Sequence, residues 1–458
     1  MREGSETASR SARGIAAWLL AATLVACGMV GMAPPRAQAG TAEGMPGGEP
    51  TPTAGADSVA FPELERFNNG GSRLLYLYLR GLALHESGHW ALSNQALADA
   101  DALLEDLYTR HLTREAGALL ISDNVVEYRG ERFESAYLHY YKILNYLELG
   151  QVEEAAVECR RLNHKLQRFI DDPAPPFSEE PFLQYLTGIV YAAAREGTDA
   201  DVSLRNAKAA FERMGAASVV EAPACLDRDR AAAPAGAADS SLGGLMLFIE
   251  TGFVPYRREA SLVAPIFRNE IEEGLDESRY SAELASRLDR PVESHLELEY
   301  LLKVAVPTLI ERPSPIASAR ILATREGEAY PATIPAAKVA DLGVQARRAF
   351  EERKAGIWVR AVGRALAKYL ATRKIEKEGG ELAGRVANLV GVATENADTR
   401  SWSTLPRQIL MACADLVPGV YRLDIVLTGP HGERQGFVRI PEVAVRRGGL
   451  TVRSCRVR

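Results

Sequence analysis

The chain has 458 residues, enough for two or three domains, and its 47% hydrophobic content suits packed cores better than a disordered polymer. A net charge of −6 gives no global field that would draw nucleic acid. Five cysteines without a C-x-x-C pair leave nothing for a zinc ribbon or a thioredoxin-type centre.

The first segment reads as an export signal. Arg2, Arg10 and Arg13 precede an apolar run from Ile15 to Ala26, which is short for a membrane span and suited to a signal-peptide core. It ends in Leu24-Val25-Ala26-Cys27, similar to a bacterial lipobox, so residues 1–27 are expected to be a signal peptide with lipid attached at Cys27. Gly28 follows the cysteine, and by the lipoprotein sorting rule this favours the periplasmic side of the outer membrane. The alternative is cleavage within Ala37-Gln38-Ala39, which gives a soluble periplasmic or secreted protein. Residues 28–59, rich in Gly, Pro, Thr and Ala, are expected to form a flexible tether.

Residues 60–220 are expected to be helical, with three related hairpins at 72–107, 134–168 and 181–214. In the first, Leu77, Gly81, Leu84, Gly88, Trp90, Leu97 and Ala100 fall at the spacings of a helix, a tight turn and a second helix. Tyr146, Gly150, Val152, Ala155 and Cys159 repeat the later part, and Gly188, Tyr191, Ala207 and Phe211 repeat it again with a longer turn. This is the roughly 34-residue signature of tetratricopeptide (TPR) hairpins, which stack into surfaces that bind other proteins. An insertion at 108–132 carries Leu119, Leu120, Ile121, Val125 and Val126, and is read either as an ordered functional loop or as a cap on the first hairpin.

His85-Glu86-Ser87-Gly88-His89 matches H-E-x-x-H, the spacing with which metallopeptidases hold zinc on one helical face. The repeat register instead puts Gly88 in the turn and Trp90 at the start of the next helix, so that His85 and His89 straddle a bend. No third ligand stands out downstream. A metal site is therefore not expected, and a zinc peptidase using His85, Glu86 and His89 is kept as the alternative enzyme reading.

Residues 221–241, rich in Ala, Pro and Asp, read as a linker. A β-rich segment is expected at 242–330, with strand candidates at Leu245–Ile249, Ala260–Phe267, Leu298–Ile310 and Ala319–Thr324. A helical segment is expected at 331–400. In it Arg353, Arg360, Arg364 and Lys368 form a basic stripe, read as a surface for anionic lipid or an acidic partner, or as a solvated face paired with glutamates. An antiparallel β segment is expected at 401–458, where Tyr421, Leu423, Ile425 and Leu427 alternate with polar residues. Cys413 and Cys455 lie on candidate strands there and are the pair expected to form any disulfide. The expected fold class is thus mainly α: a TPR-like array, then a mixed α/β region ending in a small antiparallel sheet or sandwich.

Three further groups of residues carry a resemblance. They are Arg114-Glu115-Ala116-Gly117-Ala118-Leu119 with Asp123-Asn124, Tyr128-Arg129-Gly130-Glu131 and Phe133-Glu134; His139-Tyr140-Tyr141 with Asn145-Tyr146-Leu147, Glu158 and Arg160-Arg161; and Ala367-Lys368-Tyr369-Leu370 with Ala397-Asp398-Thr399-Arg400-Ser401-Trp402 and Pro418-Gly419-Val420-Tyr421. Together they resemble a family of bacterial TPR-containing envelope lipoproteins that has no established activity. The resemblance marks Asn124, Tyr128, His139, Tyr140, Asp398, Arg400 and Trp402 as candidates for interaction. The alternative is structural: the first three would buttress the insertion, and Asp398, Arg400 and Trp402 would knot the last helix to the terminal sheet.

The expected function is a non-enzymatic scaffold, or an assembly or regulatory factor, in the bacterial cell envelope. It would use no cofactor and no nucleic acid, would be held to a membrane by its lipid, and would bind an envelope protein or peptide. A polysaccharide-binding module using the terminal sheet and Trp402 is the other alternative.

Overall fold

In the first third of the chain, small residues recur where two helices must approach, and the backbone follows them. A computed structural model describes residues 61–114, 127–171, 180–215, 218–232, 241–267, 298–328 and 330–458. After a short 3-10 turn at Pro62–Phe67, helices α1 (Arg73–Glu86) and α2 (Trp90–Arg114) form an antiparallel pair. So do α3 (Arg132–Glu148) with α4 (Val152–Asp171), and α5 (Pro181–Ala193) with α6 (Gly197–Met214). A Cβ on Gly81 would lie 2.5 Å from Leu97, and one on Gly188 would lie 2.6 Å from Leu204, so both pairs close on a missing side chain. The corresponding positions of the middle pair hold Ile143 and Cys159, both fully buried, which reverses the order of large and small. Each bend uses the left-handed region, at Gly88 (φ 77°), Gly150 (φ 73°) and Arg195 (φ 64°).

Helix α3 is buried on every side, from Phe133 through Asn145 without interruption. It lies between the flanking helix pairs, above a sheet built from the C-terminal half. A short helix α7 (Leu226–Ala232) leads into strands β1 (Gly243–Thr251), β2 (Tyr256–Phe267), β3 (Leu298–Ile310), β4 (Ser318–Arg325) and β5 (Ala332–Asp341). Helices α8 (Leu342–Gly379) and α9 (Glu381–Thr394) follow, then β6 (Gln408–Leu416), β7 (Gly419–Thr428), β8 (Arg434–Val445) and β9 (Leu450–Val457).

Seven strands form one sheet in the order β8-β7-β4-β5-β6-β1-β9. All neighbours are antiparallel except β1 and β9, which run parallel. The two edge strands are consecutive in sequence and share the turn at Gly448 (φ 62°); Thr451 Oγ1 donates to the Ala444 carbonyl at 2.9 Å. The sheet therefore curls into a nearly closed barrel. The period of two sorts its side chains. Leu245, Leu247, Ile249, Leu410 and Ala412 point into the barrel with Ile321, Leu423 and Ile425. Met246, Phe248, Ile409 and Met411 point outward and join the core of the helix pairs.

Strands β2 and β3 form a separate two-stranded ribbon. Leu302, Val304 and Val306 on β3 pack against Ala361, Ala365 and Tyr369 of α8, and α9 folds back beside them. This ribbon and helical hairpin make an arm attached to the main body by the first turns of α8, where Leu342, Ala346 and Phe350 are buried, and by Arg257 of β2, which meets Glu131.

The expected mainly-α class is incorrect. The protein is about 51% helical and 26% strand, and the sheet is a large seven-stranded, nearly closed one rather than a small terminal sheet behind a TPR array. Strands from 242–330 and from 401–458 interleave in it, and the stretch read as wholly helical contributes β5. A local pattern of hydrophobic residues marks a strand but not its partner: β1 finds both neighbours, β6 and β9, more than a hundred residues downstream.

The disulfide also differs from expectation. Cys413 bonds to Cys225, which precedes α7, with the two Cα atoms 6.4 Å apart, while Cys159 and Cys455 are free thiols. Strand β1 lies between β6 and β9, and its register aligns Cys413 with outward-facing Met246 but Cys455 with inward-facing Ile249. The two cysteines expected to pair thus lie a strand apart on opposite faces.

Candidate functional site

The sequence-marked residues converge on the seam between the helix pairs and the sheet. The seam begins with Glu134 in the first turn of α3, where an acidic side chain suits the exposed N–H groups of a helix start. Glu134 Oε2 accepts from the Glu131 backbone N–H at 2.8 Å, and this contact is half of a capping box. The same oxygen accepts from the Tyr128 hydroxyl at 2.6 Å, and Oε1 accepts from the Trp402 backbone N–H at 2.8 Å. Burial raises the Glu134 carboxyl above its usual range, with Glu131 adding to the effect, and burial with Glu134 beside it pushes the Tyr128 hydroxyl up. Glu131 accepts from Arg257 of β2 and pairs with Arg353 of α8 at 3.0 Å.

Asp398, Arg400 and Trp402 complete this knot. Asp398 accepts from the Arg400 backbone N–H at 3.0 Å and from its guanidinium at 2.8 and 3.0 Å. Arg400 then reaches the Gly71 carbonyl and lies 5.6 Å over the Tyr128 ring. The Tyr128 N–H donates to Gly71 as well. Trp402 is fully buried and stacks on Tyr78 with ring centroids 4.3 Å apart. A sugar cannot reach an indole enclosed in this way, so the polysaccharide reading loses its aromatic platform.

His139 and Tyr140 are neighbours in sequence but face different partners. Tyr140 and Tyr141 both donate to Glu250 at the end of β1, each at 2.9 Å, and Arg456 of β9 closes on the same carboxylate at 3.4 Å. His139 turns instead toward α2 and α4, where its Nδ1 donates to Glu158. Lys142 lies 2.8 Å from the same Glu158 oxygen. His139 Nε2 faces Asp101 at 3.6 Å, and Lys165 holds that oxygen at 2.6 Å. Burial pushes His139 down, toward its neutral form. Burial would raise Glu158, but the His139 hydrogen bond and the Lys142 ammonium outweigh it and hold the carboxyl below its usual range. The result is a buried network in which opposite charges offset one another.

Asn124 and residues 115–126 of the insertion lie outside the described residues, as do Cys27, Ala39 and the tether. His85 lies in the last turn of α1, buried, with Nδ1 2.7 Å from Asn145 Oδ1, whereas His89 is exposed beyond the bend at Gly88 and meets Ser87 at 3.1 Å. The two imidazoles do not share a helical face, which is the geometry the H-E-x-x-H reading needs.

The sequence singled out Tyr128, His139, Tyr140, Asp398, Arg400 and Trp402, but not the carboxylates that organise them. Glu131, Glu134 and Glu158 were visible only as parts of a resemblance, and Glu250 not at all. Their signal is an acid inside an apolar run, Phe133-Glu134-Ser135-Ala136-Tyr137 and Leu247-Phe248-Ile249-Glu250, where a charge persists only if paired or hydrogen-bonded. Chemically, the site fixes α1, the segment before α3, α3 itself, β2, α8 and the segment after α9 to one another. No protein-family model, curated protein or solved structure matches this chain.

Proposed function

We propose that this protein is an exported, lipid-tethered component of the bacterial cell envelope, with kinship to the uncharacterised envelope lipoproteins it resembles, and that it acts without catalysis as a scaffold or an assembly or regulatory factor. The observation that carries the reading is the Cys225–Cys413 disulfide, which joins positions 188 residues apart. Bonds of this kind persist in oxidising compartments such as the periplasm and are reduced in the cytosol. The knot of Glu134, Arg400 and Trp402 supports a rigid framework rather than a reactive centre, because each polar group serves to hold an element in place.

The inner face of the helix pairs is not open to a partner. The inner helices α1, α3 and α5 are already covered by the chain's own sheet, through contacts such as Phe182 on Phe248 and Tyr140 on Glu250. A partner therefore meets the outer helices, where Tyr108, Val157, Ile170 and Val202 are exposed. Two measurements test the proposal. Mass spectrometry of the envelope-purified chain should find an acylated Cys27 at the new N-terminus and Cys225 linked to Cys413. In-cell crosslinking from Val157 or Val202 should capture a defined envelope protein. Recovery in the cytosolic fraction with Cys225 and Cys413 as free thiols would sink the reading.

A further inference from the structure

The arm exposes a run of apolar residues along one face of a single helix. Helix α9 turns Gly384 and Asn388 inward, both buried, and a Cβ on Gly384 would lie only 2.8 Å from Glu376 of α8. On its other side Leu382, Val386, Leu389 and Val390 follow one another at helical spacing and are 78%, 56%, 65% and 55% exposed. Single exposed aliphatic residues are ordinary, but four in register along one helix form a surface.

Charge indicates what covers it. Residues 355–394 hold seven Lys or Arg against three Glu, in a chain at −6 overall. The stripe expected along α8 is partly used up: Arg364 and Lys368 share the buried Glu395 at 3.2 and 2.6 Å, and Arg353 belongs to Glu131. Arg360, Lys374 and Lys377 are exposed around the hairpin. An anionic surface would repel the acidic body and accept this arm. The helix dimensions agree. Fourteen residues make a helix of about 21 Å, short of the ~30 Å hydrocarbon core, so α9 can lie in an interface but cannot cross it. Among the described residues no helix is long and apolar enough to span a membrane.

We infer that α9 is a membrane-surface contact, which lays its Leu382–Val390 stripe into the headgroup region of an anionic phospholipid bilayer while the basic residues of the hairpin meet lipid phosphates. The inference rests on the envelope reading for the presence of a bilayer, but it does not require acylation of Cys27.

The test is vesicle flotation of the full chain carrying Cys27→Ser, so that no lipid anchor contributes. Vesicles of phosphatidylethanolamine and phosphatidylglycerol at 3:1 should carry the protein upward. Val386→Glu with Leu389→Glu should lower the partition at least about tenfold, and replacing the vesicles with pure phosphatidylcholine should lower it about fivefold. Both substituted side chains are exposed, so the variant should keep its thermal transition. Equal flotation of parent and variant would overturn the assignment, because the leader or another face would then carry the binding. Equal partition onto phosphatidylcholine would remove the anionic component. A parent that sediments as a dimer, with the variant a monomer, would give the stripe to a second copy of the chain. The acylation state of Cys27 is read separately by mass spectrometry, so failure here and failure of the tether remain distinguishable.

Discussion

The seam between helices and sheet and the α8–α9 arm show two uses of the same residue types. At the seam, aromatic rings from α1, α3, α5, β1 and the segment after α9 close on one another, and the carboxylates among them are bonded on several sides. In the arm, the buried hydrophobic cluster among the described residues has six members, and large aliphatic side chains face outward. A seam covered from both sides couples its parts into one cooperative unit. A thin two-layer arm can open without disturbing that unit, since local stability follows local burial.

Substitutions can break this contrast, and the largest effect belongs at the centre of the seam. Trp402→Ala should cost ~3–5 kcal/mol, seen as an earlier single unfolding transition in urea. A variant within 1 kcal/mol of the parent would mean that the seam is not the cooperative centre. Glu158→Gln comes next, because it leaves Lys142 buried without a carboxylate; a loss of about 3 kcal/mol is expected by the same measurement. Replacing both cysteines, Cys225→Ser with Cys413→Ser, should remove ~2–3 kcal/mol, and reduction of the parent should reproduce most of it.

A smaller effect, dependent on pH, is expected at Glu180. Burial raises this carboxyl to about 8, and its hydrogen bond from Gln345 of α8, 2.7 Å long, only partly offsets that. The folded state therefore keeps a proton that the unfolded state has already released above its ordinary value of 4.5. Stability from this group is complete below that value and is lost as pH climbs toward 8. Between pH 5 and pH 6.5 the parent should lose about 2 kcal/mol that Glu180→Gln does not lose. An identical pH dependence in both proteins would refute the assignment. The smallest global effect is expected in the arm: Tyr369→Ala should shift the main transition by under ~0.5 kcal/mol while abolishing amide-exchange protection in α9. A large global shift would show that arm and body unfold together.

The sequence made some of this legible. The three helix pairs could be read because a 3.6-residue period and glycines at bends are local properties, and β1 to β4 because short apolar runs bounded by turn residues are local too. The sheet was not legible. Its partners lie far apart in the chain, and β5, with Ala332, Ala336, Ala337 and Ala340, reads as helix by propensity, although Ala336 and Ala337 lie opposite Ala412 and Met411 in the sheet. The candidate residues were found as polar or aromatic groups in unexpected places, but their partners were not, because no spacing links Glu134 to Trp402 or Tyr140 to Glu250. The disulfide failed for the same reason: Cys413 and Cys455 looked adjacent as strand residues, and only the insertion of β1 between them separates their faces.

The place of β1 has a consequence for biogenesis. Leu245-Met246-Leu247-Phe248-Ile249 leaves the ribosome well before either strand that will flank it, since β6 and β9 both lie more than a hundred residues downstream. During that interval an apolar strand has two unsatisfied edges, the state from which chains pair wrongly with one another. A nascent chain of this design therefore depends on something that shields residues 243–251 until β6 and β9 arrive. Truncations that lose only β9 should aggregate rather than fold in part.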